Sequence, residues 1–267
     1  MPILQLFLVA VIQGVTEFLP ISSSGHLILF PQLTGLQDQG QVIDVAVHLG
    51  TLGAVIVYFW RDVKQALAGV LELCCGRVDT PGARLALGLA IATVPVVLVG
   101  AILHLTHLDA AMRSMAVIGW TMLIFGVVLF WADRTGANIK SAADWRSRDA
   151  LIMGLWQVLS LIPGTSRSGI TITGARRMGY SRSEAARLSM LMSIPTIVAS
   201  GVLLGAEVAA KADGTAFRDG ALAALFAFGA ALLALTLMMR LLRSVSFTPY
   251  VVYRVILGAG LLIMAYW

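Results

Sequence analysis

Long apolar stretches recur from one end of this chain to the other, and no other feature so limits what it can fold into. Blocks close to the ~20 residues that a helix needs to cross a bilayer follow one another with few charges between them. Six are uninterrupted: Val42 to Trp60, Arg84 to Leu105, Met115 to Trp131, Arg187 to Ala206, Gly220 to Arg240 and Pro249 to Trp267. In lipid the backbone must satisfy its own N–H and C=O groups. Without the alternating pattern of a barrel strand, only helices do so. Of 267 residues, 58% are hydrophobic and 12% charged, with mean hydropathy +0.88, so a single signal peptide or anchor cannot account for the pattern. An all-α, polytopic membrane protein follows. Val63 to Cys75 is shorter and carries Lys64 and Glu72, which suits a helix lying in the interface.

Two further apolar regions are broken in the middle. Ile3 to Leu19 runs into Pro20-Ile21-Ser22-Ser23-Ser24-Gly25-His26, followed by Leu27 to Leu36. Ala150 to Ile162 runs into Pro163-Gly164-Thr165-Ser166-Arg167-Ser168-Gly169, followed by Ile170 to Met178. Each is expected to be a re-entrant helix-loop-helix hairpin, about 3–36 and about 150–178. On that reading Arg61, Lys64, Arg77, Arg84, Arg134, Lys140, Arg146, Arg148, Arg176, Arg177, Arg182, Arg240 and Arg243 share one side. Only Arg113, Lys211 and Arg218 fall opposite, so the first side is expected to be cytoplasmic and both termini outside. The hairpins then enter from opposite faces, as in an inverted repeat.

A trace of that repeat is present. Gln13 and Gln157 each lie twelve residues before a glycine, Gly25 or Gly169, and Ser22, Ser24 and Gly25 match Ser166, Ser168 and Gly169 at a constant offset of 144. One membrane domain, 1–267, is expected, with a first repeat over 1–105 and a second over 149–267.

The polar residues in these loops are costly in an apolar chain. Gln13 and Glu17 are four apart and share a helix face. A carboxylate at that depth costs several kcal/mol unless paired, solvated or bound to a cation. Ser22, Ser23, Ser24 and Gly25 offer hydroxyls and backbone N–H groups to an anion, although serine runs also cap ordinary helices. His26 adds a titratable imidazole suited to a nucleophile, acid or base. Arg167 keeps its charge and needs an anion: either Glu17 in a structural pair or a phosphate gripped by its fork, with Ser166, Ser168, Gly169 and Thr171 alongside. Asp44 and His48 either line an entrance or pack. His104 and His107 fall in an outer loop, and Asp149 is placed to cap a helix from Ala150.

The net charge of +5 belongs to span ends and not to a nucleic-acid surface. Cys74 and Cys75 are adjacent, and no Cys/His spacing suits zinc.

The run Gln13-Gly-Val-Thr-Glu17-Phe-Leu-Pro-Ile-Ser-Ser-Ser-Gly-His26 and the run Pro163-Gly-Thr-Ser-Arg167-Ser-Gly-Ile-Thr171 resemble the two signatures of the undecaprenyl-diphosphate phosphatases. Order, spacing, length and apolar profile agree over the whole chain. The resemblance implies hydrolysis of undecaprenyl diphosphate to the monophosphate carrier of cell-wall synthesis, in a bacterial inner membrane, and an association with bacitracin resistance, with bacitracin competing for the lipid. The family carries Glu or Gln four residues before its glutamate; here it is Gln13, so Glu17 alone can bear charge. On that resemblance the site opens outward: Arg167 neutralises the phosphoryl oxygens, Ser22 to Gly25 and Ser166 to Gly169 donate to them, and Glu17 with Gln13 holds a divalent cation, Mg²⁺ or Ca²⁺. The attacking group is His26, Ser23 with His26 as its base, or a water. A lipid transporter and a purely structural scaffold are the alternatives, and a homodimer is left open.

Overall fold

The computed structural model describes residues 1–108, 112–211 and 214–267, without the side chains of 204–211, Lys211 among them. The described residues form helices and no strands. In order these are α1 (Ile3–Thr16), α2 (Ser23–Thr34), α3 (Gly40–Tyr58), α4 (Trp60–Cys74), α5 (Pro81–Leu105), α6 (Met115–Thr135), α7 (Ser147–Val158), α8 (Arg167–Arg177), α9 (Arg182–Lys211), α10 (Gly214–Leu241) and α11 (Thr248–Tyr266). Six of them, α3, α5, α6, α9, α10 and α11, are long and apolar enough to cross a membrane. They coincide with the six uninterrupted blocks to within a few residues at either end. The chain is a polytopic all-α membrane protein.

Small residues let the long helices approach. A Cβ on Gly50 of α3 would stand 2.2 Å from the carbonyl oxygen of Ala224, and one on Gly14 of α1 2.7 Å from that of Ala227, so alanine-rich α10 lies directly against both. Such close backbone contact replaces the hydrophobic drive that lipid cannot supply between helices. By the same device α4 packs on α5, where Gly69 meets Gly82. Elsewhere α1 packs on α10, α7 on α5, and α6 on α11.

Polar ties gather the helix ends. Asp133, at the end of α6, is buried and accepts from Arg182 Nε at 2.7 Å and from the backbone N–H of Phe247, with Arg176 Nε at 3.3 Å. Arg176 also donates to Asn138 and to the carbonyls of Tyr180, Asp133 and Gly136. The starts or ends of α6, α8, α9 and α11 are thereby locked together at the basic end of the bundle. At the other end the terminal amine meets Asp219 at 3.0 Å. Two minor expectations are corrected. His104 lies in the last turn of α5 and not in a loop. Asp149 sits inside the first turn of α7, which starts at Ser147, where its carboxylate accepts from Lys140 at 2.9 Å and from the Tyr180 hydroxyl at 2.5 Å.

Candidate active site

The two broken regions fold alike. α1 ends at Thr16 and α2 starts at Ser23; α7 ends at Val158, passes through a short 3₁₀ turn at Leu159–Leu161, and α8 starts at Arg167. Ser22 and Ser166 precede α2 and α8, both with φ of 73°, a left-handed backbone that few side chains tolerate. Serine suits the position because its hydroxyl accepts from the N–H three residues on: Gly25 to Ser22 at 3.3 Å and Gly169 to Ser166 at 3.2 Å. Each cap serine also pairs with the serine two residues on, Ser22 with Ser24 at 3.4 Å and Ser166 with Ser168 at 3.1 Å.

These turns bring residues 150 positions apart into contact. Glu17 Oε1 accepts from Arg167 Nη2 at 2.7 Å. Its Oε2 accepts from Gln13 Nε2 at 2.8 Å and from the Ser23 hydroxyl at 2.7 Å, and His48 Nε2 stands 3.9 Å away. Glu17 is buried and Arg167 is partly so, yet Arg167 Nη1 is enclosed and has no partner among the described residues. A guanidinium in an apolar bundle thus spends half its fork on Glu17 and leaves the other half free.

A cavity of about 610 Å³ opens on this group. One end is polar, walled by Glu17, Ser22, Ser23, Ser24, Ser166 and Arg167, where the first N–H groups of α2 and α8 lie. The rest is apolar and built from α5 and α9, including Val96, Val97, Ile197, Val202 and Leu203. Val97, Val202 and Leu203 are exposed on the bundle's flank, so the cavity reaches the surface that lipid would cover. A second cavity of about 330 Å³ shares His48, Ile197 and Ser200 with the first and holds Asp44, His104 and Arg113. His48, whose Nδ1 donates to the Asp44 carbonyl at 2.7 Å, stands in the wall between the two.

Not every expected residue faces the cavity. His26 donates from Nδ1 to the Ser22 carbonyl at 2.6 Å, because a carbonyl can only accept. Nε2 then accepts from the Tyr253 hydroxyl at 2.6 Å, with the rings stacked. Both nitrogens are engaged away from Ser23, whose hydroxyl goes to Glu17. Thr171 is fully buried against Ser189 at 2.6 Å, and Ser168 donates to the Leu19 carbonyl at 2.9 Å, tying one loop to the other. Gly25 and Gly169 spend their N–H groups on the caps.

The donor set does not suit a resident divalent cation. Glu17 is the site's lone carboxylate among the described residues, it already receives four donor atoms within 4 Å, and one of them carries a full positive charge. Gln13 Oε1 is buried without a partner, but a single amide oxygen does not make a cation site. No group of three His, Cys, Asp or Glu side chains lies close enough to bind a metal among the described residues.

Missed altogether in the sequence was Arg254, fully buried in α11. Its signal was there to read: an arginine in the middle of an apolar span demands a reason.

Comparison with known proteins bears on the same residues. Residues 6–260 match the family model described as bacitracin resistance protein BacA. An undecaprenyl-diphosphatase of Ruegeria pomeroyi is 71% identical over 266 residues, covering 100% of both chains. One of Dinoroseobacter shibae is 70% identical over the same extent. A more distant relative, undecaprenyl-diphosphatase 1 of Rhodospirillum rubrum, is 46% identical over all of this chain and 96% of its own.

Proposed function

The chain belongs to the bacitracin resistance protein BacA family, and from that premise we propose that Ser23, Glu17 and Arg167 are the working groups of its phosphatase site. The protein is an undecaprenyl-diphosphatase, a multi-pass membrane enzyme that hydrolyses undecaprenyl diphosphate to the monophosphate lipid carrier and phosphate. One observation carries the division of labour: the Ser23 hydroxyl donates to Glu17 at 2.7 Å, while Glu17 is held by Arg167, whose Nη1 has no partner among the described residues.

The cavity suits a molecule with a charged head and a long apolar tail. The tail lies in the groove of α5 and α9, and the diphosphate reaches the polar end. The Arg167 guanidinium and the first N–H groups of α2 and α8 bind the terminal phosphoryl oxygens, where negative charge is concentrated. Glu17 Oε2 takes the Ser23 proton as Ser23 Oγ attacks the terminal phosphorus, the bond to the bridging oxygen breaks, and Glu17 passes that proton to the bridging oxygen as undecaprenyl phosphate leaves. Glu17, again a carboxylate, then deprotonates a water that attacks the phosphoserine, and the proton returns to Ser23 Oγ as its bond to phosphorus breaks and phosphate is freed. His26 supports this arrangement by holding the Ser22 carbonyl, one residue before the nucleophile. A divalent cation, Mg²⁺ or Ca²⁺, enters as the counter-ion of the diphosphate.

The same proposal includes the topology. The matching turns at Ser22 and Ser166 and the basic end of the bundle support two re-entrant hairpins in an inverted repeat, with repeats over 1–105 and 149–267. It places the protein in the bacterial inner membrane with both termini outside, the second cavity facing the periplasm as the path for water and phosphate, and bacitracin competing for the lipid.

The test is phosphate release from undecaprenyl diphosphate by purified protein in detergent, with the terminal phosphate isotopically labelled and the protein quenched for peptide mapping. Label on Ser23 in the wild type, and none with Ser23→Ala, is the expected result. Full turnover by Ser23→Ala would overturn the serine route and leave direct attack by water.

A further inference from the structure

A full positive charge lies buried in α11 with no carboxylate bound to it among the described residues. Arg254 is completely buried, and all four of its hydrogen bonds go to backbone carbonyls. Nε donates to Met122 at 3.2 Å and Nη2 to Thr121 at 3.3 Å, both on α6. Its other two acceptors are the carbonyls of Pro20 at 3.2 Å, from Nη1, and Gly164 at 3.1 Å, from Nη2.

Those two carbonyls stand at matching places in the two loops, offset by the same 144 residues as the motifs. Two residues beyond each lies a left-handed cap, Ser22 or Ser166; three beyond lies Ser23 or Arg167. One guanidinium therefore grips both loops one short step before the side chains that must face each other. The surroundings leave it little freedom. A Cβ on Gly169 would come within 3.0 Å of Arg254 Nη1, and one on Gly164 within 2.2 Å of Thr121 Oγ1, whose hydroxyl donates to the Pro163 carbonyl at 2.6 Å.

A packing role alone does not require an arginine. Loop carbonyls at this depth do need donors, but neutral side chains could supply them without bringing an unpaired charge into the bundle. What a planar fork adds is several donors in fixed mutual geometry, which sets the separation of the acceptors it binds. We propose that Arg254 is the positioning residue of the site, fixing the first loop against the second so that Ser23 and Arg167 address one phosphoryl group. This rests on the assignment of Ser23 and Arg167 made above.

Arg254→Lys keeps the charge and loses the fork; Arg254→Gln keeps a planar amide with fewer donors. Gly258→Ala serves as the matched control, because its Cβ would meet the Gly119 carbonyl at 2.9 Å and loosen the packing of α11 on α6 without touching either loop. Each purified variant is characterised by thermal melting and by kcat and KM for undecaprenyl diphosphate, counted per folded molecule. A misplacement near 1 Å costs about 100-fold in rate, so both Arg254 variants are expected to lose about that much kcat, with KM moving far less. Gly258→Ala is expected to melt lower and keep its kcat. Equal kcat losses in Gly258→Ala and Arg254→Lys at equal melting temperature would reduce Arg254 to a packing residue, and full kcat in Arg254→Lys would show that the fork is not needed. Should the arginine variants not fold at all, Thr121→Val, which frees only the Pro163 carbonyl from α6, carries the test: a lowered kcat at unchanged melting temperature supports loop positioning, and an unchanged kcat overturns it. Undiminished activity in Ser23→Ala and Arg167→Ala marks instead a failure of the underlying assignment.

Discussion

The loop from Pro20 to Gly25 and the loop from Gly164 to Gly169 share a backbone and differ in chemistry. Both turn on a left-handed serine, cap a helix through that serine, and offer a carbonyl to Arg254. Where the first has Ser23 the second has Arg167; where the first has His26 the second has Ile170; and the position matching Glu17 is Leu161. Even the glutamines correspond, since Gln13 and Gln157 are both fully buried with an unpartnered Oε1, but only Gln13 has a carboxylate to hold. The scaffold is thus common to both loops, and on the proposed assignment a few substitutions give one a nucleophile and base and the other an anion clamp. Neither loop is a site alone.

The most severe way to break this division is to remove its working groups singly. Ser23→Ala, Glu17→Ala and Arg167→Ala are each expected to lower kcat by about 10³-fold or more, read by phosphate release. Arg167→Lys is expected to recover only part of the loss, because a point charge cannot hold Glu17 and a phosphoryl oxygen with one fork. A swap in which each loop took the other's residue, Ser23→Arg with Arg167→Ser, should be inactive, since Glu17 is not duplicated.

A smaller effect tests His26, whose matching position in the second loop is Ile170. As a support for the Ser22 carbonyl it should be worth about 10² in kcat on replacement by alanine, and Tyr253→Phe, which removes only the hydroxyl on Nε2, under about 10-fold. A Tyr253→Phe loss as large as that of Ser23→Ala would move His26 into the reaction itself.

Smallest are the caps. Ser22→Ala and Ser166→Ala each remove one hydroxyl from an N–H and are expected to cost about 1 kcal/mol of stability, nearly equally, by denaturation in detergent. Chelation should act on the substrate and not on the fold: removing divalent cations is expected to raise KM for the diphosphate and leave the melting temperature unchanged.

The comparison also shows why part of the site was legible early and part was not. Gln13, Glu17, Ser23 and Arg167 stood out because polar groups in an apolar stretch are expensive, and that cost is visible in one dimension. His26 stood out equally and yet turns to Tyr253, because the direction of a side chain depends on what packs beside its helix. His48, like Asp44, was expected to pack or to line an entrance. Its place 3.9 Å from Glu17 needs α3 to lie against α1, which no local pattern states. Arg176 read as one more charge at a span end, and it proved to be the fully buried tie between α6, α8 and α9.

By itself the sequence determined the solvent of this protein, its six long helices, its two interrupted ones and the pairing of their motifs, because hydropathy and spacing are properties of neighbouring residues. The tertiary structure alone decided that Glu17 meets Arg167, that Ser23 rather than His26 donates to Glu17, and that Arg254 grips both loops. Those contacts join residues from 6 to 234 positions apart, and their partners are chosen by how the helices cross.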